Sequence, residues 1–388
     1  MFEGRTLFAQ LMEFLPWKSF HRIVQRYGGD WRMRRLSCAV QFRCMALGQL
    51  TYRASLRDLV ACLQAQRARL YHLGLPRAGV HRSTLAEANE RRDWRIYAQF
   101  AQLLMQRAQQ LYARDRFSLA LQQTVYALDA TTIDLCLALF PWAPFRTTKA
   151  AVQLHTQLDL RGPIPSFVHI SDGKWREVRM LDLLSPEAGA FYVMDRAYTD
   201  FERLYRLDQA GAFFVLRAKT DLDARRIGSQ PHSHATVLAD QIIALAGRHS
   251  RLRYPDRLRR VRVRDLQTGR SIVLLTNHFL LPAQTIGQLY RQRWQVELFF
   301  KWIKQHLRIQ RFYGCSENAV KTQLWIAIST YLLVAIVRKE LRLPGSLHLL
   351  LQALSVTLFE RIPLRQVLMT SLPDELSVPS NQLILFES

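Results

Sequence analysis

From the first residue to about residue 118, apolar side chains recur at helical intervals, and no stretch alternates as a strand would. Turn signals interrupt the run at Gly28-Gly29-Asp30 and at LGLPRAG, around Gly74. DWRMRRLSCAVQFRCMALGQL and SLRDLVACLQAQRARL place apolar positions on one side and arginines on the other, which predicts amphipathic helices with Arg-rich faces. Past residue 122 the pattern becomes strand-like. QTVYALDATTIDLCLAL reads as a strand, a turn and a second β-rich segment, and AAVQLHTQLDL and IPSFVHI as two more strands around Arg161-Gly162-Pro163. EVRMLDLL is a short helix, AFYVMDRAY a buried strand ending in Asp195, DFERLYRLDQAG a helix closed by Gly211, and AFFVLRAK another strand. The order β-β-β-α-β-α-β predicts an α/β fold with a mixed sheet flanked by helices. Residues 220–285 are polar, Arg-rich and strand-like (RRVRVRD, SIVLLTN), a β-rich insertion, and the tail from 316 is mostly helical. The predicted domains are a helical one over 1–118, an α/β one over 119–315 and a helical C-terminal region over 316–388.

Residues 290–307 carry the most informative face. On a helix at about 100° per residue, Tyr290, Arg293, Glu297, Lys301 and Lys304 fall within an arc of roughly 80°, while Leu289, Val296, Phe299, Phe300, Ile303 and Leu307 form an apolar stripe opposite. One acid sits among bases. An ordinary solvated face with an i,i+4 ion pair has the same pattern.

Charge narrows the alternatives. The 388 residues carry 54 Lys plus Arg against 31 Asp plus Glu, a net +23, which calls for a polyanionic partner. Within 1–118 the balance is 20 to 8, or +12, so the excess is local as well as global, and DNA binding by that segment is expected over a generic helical domain. Cys38, Cys44, Cys62, Cys136 and Cys315 form no C-x-x-C pair, which fits reduced, buried thiols and not a disulfide scaffold or zinc site. MFEGRTLFAQ does not read as a signal peptide. LWIAISTYLLVAIV, 324–337, is shorter than the roughly 20 residues a bilayer span needs and predicts a buried core helix. Nucleic acid is therefore expected over lipid.

Asp129 follows Val125-Tyr126-Ala127-Leu128, and Asp195 follows Phe191-Tyr192-Val193-Met194. An acid closing a buried strand sits at a sheet rim, where sites are built, although aspartates also end strands as turn formers or caps. Two such aspartates and a helical glutamate in a basic protein suit a divalent-metal site on a phosphodiester, because hard Mg2+ prefers carboxylate oxygens and cations beside them hold the strand.

The spacing Tyr290-x2-Arg293-x3-Glu297-x6-Lys304 resembles the Y-R-E-K signature of the IS-four family of DDE transposases. LDATTIDLCLALFPWAPFRTTKAAVQLHTQLDLRGPIPSFVHISDG and YVMDRAYTDFERLYRLDQAGAFFVLRAKT are similar to that family's blocks around its first and second catalytic aspartates, so the resemblance covers about 120–310. It implies a ribonuclease H-like core in which Asp129, Asp195 and Glu297 bind two Mg2+ ions, with Mn2+ as a substitute. It also implies hydrolysis at transposon ends, hairpin intermediates and transfer of 3′-hydroxyl ends into target DNA. Tyr290, Arg293 and Lys304 would contact DNA near the cleaved end, with Lys301 a fourth contact. A homodimer in the synaptic complex and a cytoplasmic, nucleoid-associated location in a prokaryote follow from the same likeness. Two other readings remain: a catalytically silent DNA-end-binding repressor, and a ribonuclease H-like nuclease without strand transfer.

Smaller features read more plainly. Trp294 and Trp302 could stack on an unstacked base, but core packing is the expectation for each. His232, His234 and His249 read as solvated, and Asp134 and Asp172 as turn residues. RRVRVRD presents a cationic strand face, either lying along DNA or keeping an exposed edge soluble.

Overall fold

The structure, a computed structural model, describes residues 4–33, 36–115, 117, 119, 121–147, 149–264, 269–306 and 312–370. The described residues form two compact units that do not follow chain order: one draws on 4–113, 132–152 and 299–370, the other on 114–131 and 153–298.

The first unit is mainly helical. Its centre is the helix Glu317–Glu340, which packs on Arg95–Tyr112, Cys38–Leu50 and Arg82–Arg91. That helix is long and apolar enough to cross a membrane, yet 94% of its most apolar stretch is buried in the protein, as the sequence led us to expect. Polar groups fix its ends and middle: Asn318 Nδ2 donates to the carbonyls of Asn89 and Arg92 at 2.8 and 2.6 Å, and the Tyr112 hydroxyl donates to the Ala335 carbonyl at 2.9 Å. Cys38–Leu50 departs from the sequence expectation. Eleven of its thirteen residues are buried, so it is an inner helix and not one with a solvated arginine face. Its single arginine, Arg43, lies 4.0 Å over the Trp17 ring, and Arg34 and Arg35 lie outside the described residues.

The second unit is built on a mixed sheet. The strands are β1 (Val125–Leu135), β2 (Pro144–Arg146), β3 (Lys149–Asp159), β4 (Ile164–Asp172), β5 (Phe191–Met194), β6 (Phe213–Arg217), β7 (Ala224–Ser229), β8 (Val237–Leu245), β9 (Leu258–Arg264) and β10 (Ser271–Thr276), of which β2, the last residues of β1 and the first of β3 fall in the first unit. The order is β3-β1-β5-β6-β10-β9-β8-β7, with β4 also on β3 and β2 pairing at the start of β3. β1, β5 and β6 run parallel, whereas β6 through β7 are joined by antiparallel pairs. Strands buried on both faces need continuous apolar runs, and VYAL, FYVM and FFVL supply them. The crossover from β5 to β6 is the helix Phe201–Gln209, capped by Asp200 and stopped where Gly211 turns to φ +73°.

Three expectations need correction here. The turn expected after Asp129 is absent, because β1 continues through it to Leu135. Asp134 is therefore a strand residue, while Asp172 does accept turn bonds from the amides of Lys174 and Trp175. β9 is no edge: it pairs with β10 on one side and β8 on the other, so the solubility explanation for its arginines fails. Its Arg260 instead donates to Gln241 Oε1, and Arg262 and Arg264 are exposed. The β-rich insertion thus extends the main sheet.

The two faces of the parallel strands are covered differently. Tyr126, Leu128, Tyr192, Met194, Phe214 and Leu216 point into a core with Leu204 and Leu207 of the crossover helix. Ala127, Val193 and Val215 alternate to the other face, which the helix Ala283–Arg291 covers, touching β5, β6, β8 and β9. Gly287 permits that approach, since a Cβ there would stand 3.1 Å from Val263 Cγ1.

Candidate carboxylate site

Register brings the two aspartates together. Leu128 pairs with Met194, and Met194 with Leu216, on neighbouring parallel strands. The next residue of each strand is Asp129, Asp195 and Arg217, so side-chain alternation sends all three to the face under helix Ala283–Arg291. Adjacent strands lie about 4.8 Å apart, which sets the scale of the carboxylate separation where the parallel pairing of β1 with β5 ends, the rim at which α/β sheets place their sites.

The helical residues reach this face by an interruption the sequence did not announce. Residues 290–307 were expected to be one helix, but Ala283–Arg291 and Trp294–His306 are separate. Across the joint the amides of Arg293, Gln295 and Val296 bond to carbonyls three residues back, at 3.1, 3.1 and 3.0 Å. That tighter local winding needs neither Gly nor Pro. Leu307, assigned to the apolar stripe, lies outside the described residues. Arg293 stands in the joint. Its Nη1 donates to Asp129 Oδ2 at 2.6 Å and its Nη2 to Glu297 Oε1 at 2.5 Å. Side-chain exposures of 18% for Arg293, 16% for Asp129 and 32% for Glu297 set these pairs apart from solvated surface bridges.

Asp195 is held from below: its Oδ1 accepts from the Arg196 amide at 2.6 Å and caps the turn Arg196–Tyr198, so the capping role and the rim position coincide. Tyr290 is buried beside it, with Arg293 Cζ 5.8 Å from its ring centre; burial pushes its hydroxyl up to about 12, Arg293 opposing and Asp195 adding. Lys301 is exposed, and Lys304 donates to the Thr132 carbonyl at 2.8 Å; neither bonds to the three acids among the described residues. Burial lowers the Lys304 ammonium from its usual value, with Asp134 opposing. Trp302 packs edge-on against Tyr331 at 4.5 Å in the core, as expected, and Trp294 is half-buried. His232, His234 and His249 are exposed.

The electrostatics mark crowded negative charge. Burial raises Asp129 to about 6, partly opposed by Arg293, and Glu297 and Asp195 push it further up. A fourth acid, Glu177, rises to about 7 through burial and then through Asp129 and Asp195. Glu177 sits in the short turn Glu177–Arg179, which packs on Arg196–Tyr198. The Tyr198 hydroxyl, fully buried and without a hydrogen-bond partner among the described residues, feels Asp129, Glu177, Arg293 and Asp195. Glu177, Arg217 and Tyr198 were missed from sequence. Arg217 follows its apolar quartet as the two aspartates follow theirs, and that offset would have found it; Glu177, in a polar stretch, gave no signal.

Among the described residues no three His, Cys, Asp or Glu side chains are grouped closely enough to hold one ion. The donor chemistry nonetheless fits a hard divalent cation: carboxylate oxygens only, crowded until their proton affinity rises, with a guanidinium now meeting their charge.

A mixed α/β sheet with carboxylates just past the last parallel pair of β1 and β5, in a chain of net charge +23, is an arrangement suited to processing a polyanion. Residues 120–333 match the family described as the transposase DDE domain, and the chain belongs to that family, in keeping with its IS-four resemblance. Residues 3–76 match a family described as a domain of unknown function, DUF4372. Among relatives, a protein named as a transposase, y4zB of Sinorhizobium fredii, is 33% identical over 284 residues, 71% of this chain and 77% of its own. One named for insertion sequence element IS5377 of Geobacillus stearothermophilus is 31% identical over 67% of this chain and 68% of its own. One named for element IS4SA of Synechocystis is 21% identical over 70% and 75%.

Proposed function

We propose that the protein is a Mg2+-dependent DNA transposase that binds the terminal inverted repeats of its insertion sequence, cleaves there and joins the freed 3′ ends to target DNA. The observation that carries this is the register pairing Leu128 with Met194, the residues just before Asp129 and Asp195, together with Arg293 linking Asp129 to Glu297. In this reading the core is ribonuclease H-like, and Asp129, Asp195 and Glu297 hold two Mg2+ ions, or Mn2+ in their place. Bound ions would activate the attacking oxygen and stabilise the leaving one. The chain's own groups do the rest. Tyr290, Arg293, Lys301 and Lys304 hold phosphates of the cleaved end, Arg217 adds positive charge beside Asp195, and Tyr290 and the helix before it shield the carboxylates from water. Residues 1–118 recognise the end sequence, 119–315 carry the chemistry, and 316–388 support the fold. Two copies pair the two ends in a synaptic homodimer acting on DNA in the prokaryotic cytoplasm.

Asp129→Ala, Asp195→Ala and Glu297→Ala are each expected to abolish nicking of a supercoiled plasmid carrying the element ends, in Mg2+ or Mn2+, and to leave gel-shift binding of the ends largely intact. Near-wild-type cleavage by any one variant removes that residue from the site.

A further inference from the structure

We infer that Arg293 is a positioning residue that couples DNA binding to metal loading: its guanidinium holds Asp129 and Glu297 until a DNA phosphate draws it away and releases them for the cations. The inference rests on the reading above and adds a regulation of that site.

The geometry is specific. The two Nη groups are committed to two carboxylates that come from different elements, a strand and a helix. The oxygens engaged, Asp129 Oδ2 and Glu297 Oε1, are ones a divalent ion would need. A guanidinium and a cation cannot both take them, because each satisfies the same negative charge in the same place. Nor can one planar fork grip a phosphate through both Nη groups while each points at a carboxylate. The arrangement is also incomplete on its own terms. Among the described residues Arg293 Nε is buried with no hydrogen-bond partner, an uncommon condition for a guanidinium donor, and this suits a side chain with a second arrangement. The backbone permits one, since Arg293 lies in the joint between two helices and not inside either.

Linkage gives the consequence. If phosphate and carboxylates compete for one guanidinium, and guanidinium and cations compete for the same carboxylates, then DNA raises metal affinity and metal raises DNA affinity by the same factor. Without DNA the carboxylates stay masked, so ions are not assembled where no substrate lies.

The test is Mn2+ binding by the full chain, followed by calorimetry with and without a duplex bearing the element's end. The wild type should bind Mn2+ about 5- to 150-fold more tightly with the duplex, the usual span of such coupling. Arg293→Ala should bind Mn2+ without DNA roughly as tightly as wild type does with it, and the duplex should add nothing. Arg293→Gln, close in length and still polar, gives the same comparison should the alanine variant fold poorly. Mn2+ affinity in both variants equal to that of the DNA-free wild type, or coupling that survives in them, overturns the inference while leaving the carboxylate site standing. Mn2+ binding by Arg293→Ala that persists undiminished after adding Asp129→Asn overturns the site assignment itself.

Discussion

Arg259→Met should destabilise the sheet unit severely, and Asp240→Leu in the same chain should recover much of the loss. Arg259 of β9 is 3% exposed and Asp240 of β8 is 2% exposed. The guanidinium meets the carboxylate on two sides, Nε to Oδ1 at 2.9 Å and Nη2 to Oδ2 at 2.6 Å. Its remaining arm, Nη1, serves the carbonyls of His278, Phe279 and Leu281 at 3.3, 3.2 and 2.6 Å. Removing the cation leaves a buried carboxylate with no counter-charge, a change that costs about 3–5 kcal/mol. For a unit of this size each kcal/mol lowers Tm by about 2–4 °C, so a fall of roughly 6–20 °C is expected in a thermal scan at pH 7. Replacing both members with apolar side chains removes the uncompensated charge and should recover much of the loss, though three carbonyls remain unmet. The effect should reach the site, because 278–281 leads into Ala283–Arg291, the helix that carries Tyr290. A single variant that melts within about 2 °C of wild type would refute the argument, as would a double variant no better than the single.

Two further outcomes follow from the site. Mn2+ binding should weaken as pH falls from 7 through 6, because Glu177 and Asp129, raised to about 7 and 6, take up protons in competition with the cation. The metal-free protein should change in the opposite sense: these folded-state values lie above the ordinary carboxylate range, so the native state binds more protons and its Tm rises on acidification across the same window; a Tm that falls there contradicts the burial argument. Lys301→Ala and Lys304→Ala should each lower the slope of log DNA affinity against log salt by about one, and Lys304→Ala should cost stability as well because its ammonium holds the Thr132 carbonyl. Equal salt slopes for Lys301→Ala and wild type would remove Lys301 from the DNA contacts.

What the sequence disclosed depended on whether a feature was local. The apolar quartets before Asp129 and Asp195 are local, and alternation alone fixes which way the next residue points. The long β1 was hidden because Asp129-Ala130-Thr131-Thr132 has the composition of a turn and is held extended by the sheet around it. The break at Arg293 carries no helix-breaking residue, so periodicity ran straight through it. The burial of Cys38–Leu50 escaped because its flanking arginines suggested a surface, while its near-uniform apolar content pointed inward. Glu177 becomes notable only when tertiary packing brings its turn against Arg196–Tyr198.

The helix Glu317–Glu340 gives this protein a timetable. Its partners Cys38–Leu50, Arg82–Arg91 and Arg95–Tyr112 are all synthesised first, and the nearest of them ends more than two hundred residues before it begins. At about 5–20 residues per second, those helices wait on the order of 10–40 s for the element that completes their core. Throughout that interval their apolar faces are open to chaperones, proteases and other nascent chains. A message truncated anywhere before the codons of that helix therefore leaves an unfinished helical unit without its central member, and the cell should clear such fragments quickly.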